Sequence, residues 1–149
     1  AKAYLSSVPS AQSMNYMVGD RNKVESLEVS GNGNVFSVKN YKGTYAVHTN
    51  HTLNPDATKV RDITSKKPTT AKTVERIEKA ESVLSKDYAK MDTQDVKNLK
   101  STKPIRISEK GAISETIESV ITEIPKEGNP ILYVTNGLPN GDNYERFDF

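Results

Sequence analysis

The residues best suited to chemistry lie in one short stretch, Val47–His51, at the end of a predicted strand, and at Arg76 on the helix that follows. An asparagine just past a strand end lies at the rim of a sheet, where its side chain is not needed for a hydrogen bond to the backbone. The N–H of the Asn50 amide can therefore point at an oxygen that gains negative charge during a reaction. Arg76 can keep an anion ionised, or orient a carboxylate through paired hydrogen bonds.

Both residues also have structural interpretations. Asn50 can bond the backbone at the strand end, and residues 50–52 form an N-glycosylation sequon. An amide that carries a glycan cannot bind a reacting oxygen, so glycosylation and an oxyanion role exclude each other. For Arg76 the alternative is a surface salt bridge worth less than about 1 kcal/mol. Its candidate partners are Glu25, Glu75 and Glu78.

Other kinds of site have less support in the sequence. His48, His51 and Asp56 are spaced too loosely to fix the ligand number and geometry of a metal site. We predict that His51 holds the loop by hydrogen bonds or lines a substrate site, and that the protein uses no metal and no cofactor. With two histidines, no cysteine and no G-x-S-x-G motif, the chain contains neither a serine triad nor a cysteine nucleophile.

The elements that position these residues come in the order strands, helices, strands. Short apolar segments between Gly/Asn turns predict a strand meander over 13–48, whose last strand, 44–47, returns across a turn at 40–43. Polar residues 49–69 form a long loop. Helices are predicted over 70–101. The C-terminal strands are predicted over 116–148, at 116–124, 130–135 and 144–147.

The two predicted helices differ in how clearly they are marked. The first, 70 to about 87, has apolar residues at helical spacing and could be capped by Thr70 or Thr73. The second, 93 to about 100, is predicted to be capped by Thr93. Strands, then helices, then strands indicate an α+β fold with antiparallel sheets and packed helices.

Composition limits the classes of protein that fit. The 149 residues suit one domain, and no apolar run approaches the roughly 20 residues of a membrane span. The net charge of +2 is too small to indicate a nucleic-acid partner. Hydrophobic residues make up 34%, and exchanging the seven tyrosines for the eight glycines leaves about the same share, against about 45–50% in typical domains. We therefore expect another polypeptide segment to complete the core.

Four stretches, in this order, resemble the C-terminal part of the cysteine N-terminal-nucleophile hydrolases. The resemblance is nearest to the branch of acyl-CoA:6-aminopenicillanic acid acyltransferase-like proteins, with choloylglycine hydrolases and penicillin V acylases as more distant relatives. The stretches that carry it are Asn15–Asp20, His48–His51, Thr73–Arg76, and residues 132–137 together with 144–149.

The resemblance implies a fold in which two antiparallel sheets lie between helical layers, an αββα sandwich. It implies hydrolysis of a linear amide C–N bond, or acyl transfer, by a cysteine that is the first residue of its chain and whose α-amine is the base. It assigns Asn50 the role of oxyanion donor and Arg76 that of electrostatic support. The substrate would be a small amide or acyl compound.

This chain differs from the family pattern because it begins with Ala1 and has no cysteine. We therefore expect residues 1–149 to be a single segment, the C-terminal portion of such a domain, inactive without an upstream segment that carries the nucleophile. An unpaired sheet face would also favour a homo-oligomer. The alternative is a noncatalytic α+β binding module whose open sheet edge takes a partner strand. Convergence of Asn50 and Arg76 on one cleft would favour the enzyme, and their divergence would favour the binding module.

Overall fold

The computed structural model describes residues 1–8, 13–30, 33–38, 45–54, 56, 69–107 and 116–149, without the side chains of residues 69 and 70. The chain forms two compact units, Ala1–Ile77 and Glu78–Phe149. The boundary falls within a long helix, and each unit is described by itself.

The first unit is built on a three-stranded antiparallel sheet. A short helix α1, Lys2–Ser7, precedes strands β1, Met14–Gly19, β2, Val24–Val29, and β3, Val35–Ser37. The strands pair in the order β1-β2-β3. The β1–β2 turn is tight because the Asp20 carboxylate accepts hydrogen bonds from the backbone N–H groups of Asn22 and Lys23.

Strand β2 lies at the centre of this sheet and is buried on both faces. Leu27 and Val29 are buried on one face, and Ser26 and Glu28 on the other. An antiparallel sheet commonly leaves one face in water, but both faces of β2 are covered from Ser26 to Val29. Ser26 and Glu28 are therefore buried rather than solvated, whereas the side chain of Glu25, nearer the start of the strand, stays exposed.

The predicted fourth strand of the meander is not formed by the residues that the structure describes. The turn at 40–43 and residue 44 lie outside the described residues. Tyr45 is an isolated bridge, and residues 46–49 have no regular structure. The side chains of His48 and Thr49 bond to two different elements, the sheet and the next helix. That anchoring replaces a regular strand ladder over this stretch.

The long helix α2, Thr69–Asp87, confirms the helix predicted from residue 70 to about 87 and is followed by a 3₁₀ turn, Tyr88–Lys90. Its apolar stripe includes the buried Ile77 and Ala80. Thr73, a predicted cap, instead lies inside the helix and is buried, because its side chain binds the loop that carries Asn50.

Helix α3, Thr93–Ser101, belongs to the second unit and confirms the second predicted helix. The prediction that Thr93 caps it is wrong. Asp92 is the cap, and the backbone N–H of Asp92 and the side chain of Asp95 complete a reciprocal capping box. The Thr93 hydroxyl instead donates to the Glu123 carboxylate at 2.7 Å, which ties the start of the helix to a strand.

The second unit also contains a three-stranded antiparallel sheet. Strands β4, Val120–Glu123, β5, Ile131–Thr135, and β6, Tyr144–Asp148, pair in the order β4-β5-β6. Strand β4 is shorter than the predicted 116–124. The Thr135 hydroxyl accepts the backbone N–H of Ser119 at 2.8 Å, so a side chain takes the place of a ladder partner there.

Helices and antiparallel sheets in both units confirm the α+β fold class. The αββα sandwich and the single-segment organisation of residues 1–149 stay predictions of the resemblance. No helix within the described parts of the chain has both the length and the apolar character needed to cross a membrane.

Candidate functional site

Asn50 and Arg76, which the sequence places 26 residues apart, meet directly. Nη2 of Arg76 on α2 donates to Oδ1 of Asn50 at 2.5 Å. The side chain of Asn50 is exposed, and its Nδ2 has no hydrogen-bond partner among the residues that the structure describes. Because the guanidinium takes the amide oxygen, the Asn50 N–H₂ group is turned outward as a donor.

Arg76 is half-buried and forms none of the salt bridges considered from the sequence. Glu25 pairs with Lys23 instead, at 3.3 Å, and within the described ranges neither Glu75 nor Glu78 pairs with Arg76. Burial lowers the pKa of the guanidinium from its ordinary value, although arginine remains charged in proteins. Nε of Arg76 is buried without a partner among the described residues.

His51 anchors the loop to α2 through its Nδ1 atom. This atom lies 3.0 Å from the hydroxyl oxygens of both Thr49 and Thr73. The Thr49 hydroxyl donates its only proton to the Thr73 carbonyl, at 2.9 Å, so it can only accept from His51. His51 therefore carries its proton on Nδ1.

The charge state of His51 follows from its surroundings. Burial lowers its pKa, and the charges of His48 and Arg76 lower it further, against an opposing effect of Glu28. The ring is therefore neutral at pH 7, which leaves Nε2 as an acceptor.

Sequence reasoning missed the carboxylate on which this loop depends. Glu28 and His48 are each about 8% exposed, and Oε1 of Glu28 lies 2.7 Å from Nε2 of His48. The backbone N–H groups of Leu53 and Asn54 also donate to Glu28, at 2.6 Å and 3.2 Å. In the sequence, a Glu between apolar strand residues looks like a residue that faces water. Glu28 can be recognised as buried only because both faces of β2 are covered in the structure.

Burial raises the pKa of the Glu28 carboxyl, but the hydrogen bonds from His48, Leu53 and Asn54 outweigh this effect. The net pKa lies below the ordinary value of 4.5. The carboxylate is therefore ionised at neutral pH and acts only as an acceptor, so Nε2 of His48 is the donor in their contact.

The lowered pKa of Glu28 predicts how stability depends on pH. A carboxyl whose pKa falls on folding stabilises the protein above its unfolded pKa, and this contribution is lost as pH falls through the folded pKa. We expect the free energy of unfolding to decrease as pH drops below 4.5. E28Q should lower stability at pH 7 by about 1.5–3 kcal/mol and flatten this acid limb. Urea unfolding between pH 3 and pH 7 measures both effects. If the loss of stability at low pH were the same in E28Q as in the wild-type protein, the assignment of that loss to Glu28 would be contradicted.

The histidines do not form a metal site with Asp56. His48 is hydrogen-bonded to Glu28, whereas His51 is hydrogen-bonded to Thr49 and Thr73. The two imidazole rings therefore belong to two separate hydrogen-bond networks. Within the described parts of the chain, no cluster of three or more potential metal-binding side chains was found.

The structure brings together Asn50, His51 and Arg76, the three site residues that the sequence predicted. They lie on one loop and on the face of α2 that binds it, and all three belong to the first unit. Glu28 links the loop that carries Asn50 and His51 to the sheet, through its bonds to His48 and to the backbone N–H groups of Leu53 and Asn54. The result is an outward-facing amide donor beside a half-buried cation.

Comparison with known proteins identifies the family. Residues 1–131 match the model of the family described as acyl-coenzyme A:6-aminopenicillanic acid acyl-transferase. This range includes Asn50, His51 and Arg76 but leaves out strand β6 and most of β5. Comparisons with curated proteins and with solved structures gave no significant match. The match spans well over half of the chain, and the chain therefore belongs to the acyl-coenzyme A:6-aminopenicillanic acid acyl-transferase family.

Proposed function

We propose that this chain supplies the oxyanion donor and its electrostatic support to a linear-amide hydrolase or acyltransferase whose cysteine nucleophile lies outside the chain. The observation that carries the proposal is the 2.5 Å hydrogen bond from Arg76 to Oδ1 of Asn50. It orients the Asn50 N–H₂ group away from the protein while leaving it unpaired among the described residues. Family membership supports acyl-transfer or hydrolase chemistry for this arrangement.

The reaction follows from what such a donor can stabilise. A thiolate adds to the amide carbonyl, a C–S bond forms, and the carbonyl π electrons move to the oxygen. The Asn50 N–H donates to that oxyanion without becoming charged. Collapse breaks the C–N bond, the amine leaves with a proton from the base, and a thioester remains. Water or an acceptor amine then attacks the thioester and gives a proton to the base. The C–S bond breaks, which releases the thiolate together with the acid or the new amide.

Arg76 suits a supporting role in this sequence of steps. Its Nη2 fixes the direction of the Asn50 amide, while its Nε is buried without a partner among the described residues. A buried N–H left without any partner costs about 1–3 kcal/mol. Arg76 therefore keeps its bond to Asn50 at some cost to stability.

The exposed apolar surface of the second unit supports the proposal that another polypeptide segment packs against this chain. By register, Val120, Leu132, Val134 and Phe147 lie on one face of its sheet. Val120 and Phe147 are 44% and 46% exposed, although such side chains are usually buried in a core. We propose that the upstream segment of the same precursor covers apolar faces of this kind, and that a second copy of the chain does so in its absence.

The test is to assay the 149-residue chain with and without the cysteine-bearing segment, supplied as a separate polypeptide. We expect no turnover of small amides by the chain alone and concentration-dependent self-association in sedimentation experiments. Addition of the segment should restore turnover, with the acyl group on the segment's cysteine by mass spectrometry.

Three outcomes would contradict the proposal. Turnover by the chain alone would show that the nucleophile is not external. A stable complex with the segment that remains inactive would favour a noncatalytic binding module. A glycan on Asn50 in the mature protein would also exclude the oxyanion role, because the amide nitrogen would carry the sugar.

A further inference from the structure

A single buried carboxylate on β2 binds the loop that carries Asn50 at points on both sides of that residue. Oε1 of Glu28 accepts from Nε2 of His48 and from the backbone N–H of Leu53, and Oε2 accepts from the N–H of Asn54. The segment 48–54 is called the Asn50 loop below. We propose that Glu28 is a positioning residue that holds the Asn50 loop in its reactive conformation, a role that rests on the proposed function of Asn50.

The contacts of Glu28 require an ionised carboxylate. All three partners are N–H donors, and a carboxylate offers acceptor sites on both oxygens. Each of these bonds is charge-assisted, so it is stronger than a bond between neutral groups. Glutamine would instead turn either its N–H₂ group or its single oxygen toward these donors, and at least one of them would lose its partner.

The position of the three donors explains how Glu28 could act on Asn50 without touching it. His48 lies two residues before Asn50, while Leu53 and Asn54 lie three and four residues after it. Both ends of the loop are thereby closed onto one residue of a central strand. Closure at both ends restricts the conformations open to the residue between them, which lowers the cost of ordering it for reaction.

A second set of contacts holds the same loop to α2. The Thr49 hydroxyl donates to the Thr73 carbonyl, and Arg76 donates to Asn50. Asn50 is thus held between the sheet and the helix. Loss of Glu28 should leave the helix contacts in place, so we expect the loop to remain attached but to be displaced. A displacement of about 1 Å in such a site can cost about 100-fold in rate.

Glu25 provides a matched control on the same strand. Its carboxylate is exposed and pairs only with Lys23 among the described residues, at 3.3 Å. E25Q therefore makes the same chemical change as E28Q, three residues away, without touching the Asn50 loop.

The experiment measures kcat, KM and backbone amide exchange for E28Q and E25Q in the complete, cysteine-containing protein. We expect E28Q to lower kcat by about 10- to 100-fold with KM changed by less than about twofold, since substrate binding is not disturbed. The Leu53 and Asn54 amides should exchange faster in E28Q. E25Q should leave both readouts at the wild-type values.

Combination with N50A separates positioning from general destabilisation. If Glu28 acts through Asn50, E28Q should change kcat by less than about twofold in the N50A background. Wild-type kcat in E28Q, or an equal loss with and without Asn50, would overturn the proposal. Normal turnover of N50A itself would instead remove the proposed function of Asn50, an outcome that the single N50A variant reveals independently of Glu28.

Two further variants apply if E28Q does not fold. E28D keeps the charge but is one methylene shorter, and we expect it to lose kcat and amide protection together. H48Q replaces the imidazole donor by an amide N–H, and we expect it to retain part of the wild-type kcat and part of the protection of the Leu53 and Asn54 amides. Wild-type kcat in E28D with unprotected Leu53 and Asn54 amides would overturn the positioning role.

Discussion

Replacement of Asn50 by alanine is expected to lower the kcat of the complete, cysteine-containing protein by at least about tenfold, and by as much as about 10³-fold. The change removes the N–H₂ group that Arg76 turns outward. It should leave the fold intact, because the Asn50 side chain is exposed and its only bond among the described residues is the one to Arg76. Steady-state kinetics with a chromogenic amide measure the effect.

The controls for this prediction separate loss of the donor from loss of structure. N22A removes an exposed asparagine side chain in the β1–β2 turn and should keep wild-type kcat. N50D preserves the shape but places a carboxylate beside the developing oxyanion, so it should be at least as slow as N50A. Wild-type kcat in N50A, with an unchanged unfolding midpoint, would refute the role of Asn50.

Replacement of Arg76 should have the second-largest effect. R76A removes both the bond that orients Asn50 and the buried cation with its free Nε. We expect kcat to fall by about 10- to 100-fold, because a misdirected donor loses most of its value in the transition state. R76K keeps the charge but not the planar fork of donors, so an intermediate loss is expected.

The matched control for Arg76 lies on the same helix. Lys86 is exposed in the last turn of α2, and K86A should leave kcat unchanged. If R76K retained wild-type kcat while R76A did not, Arg76 would act through its charge alone and would not orient Asn50. Equal kcat in R76A and the wild-type protein would remove Arg76 from the site.

Much of the local structure could be predicted from the sequence. The apolar spacing from Val74 to Leu84 identified α2, and the Gly/Asn pattern of residues 31–34 predicted a break between β2 and β3. These features depend on neighbouring residues, so one sequence is enough to predict them. The relative position of Asn50 and Arg76 was expected from the sequence to distinguish an enzyme from a binding module, and the two side chains meet in a hydrogen bond.

The errors arose where a distant residue decided the outcome. Thr93 and Asp92 are both good caps, and Thr93 is diverted because Glu123 lies within reach of its hydroxyl. Glu28 was missed because its burial depends on what covers β2, and its donors lie 20 to 26 residues further along the chain. No periodicity in the sequence marks such a contact.

The Asn50 side-chain amide itself tests the central claim most directly. A peptide aldehyde adds to the external cysteine as a hemithioacetal, which places an oxygen where the tetrahedral oxyanion forms. With ¹⁵N-labelled complete protein, we predict a downfield shift of one Asn50 Nδ2 proton when the aldehyde binds, and no such shift at Asn22. An unchanged Asn50 amide resonance in the fully occupied complex would contradict the account.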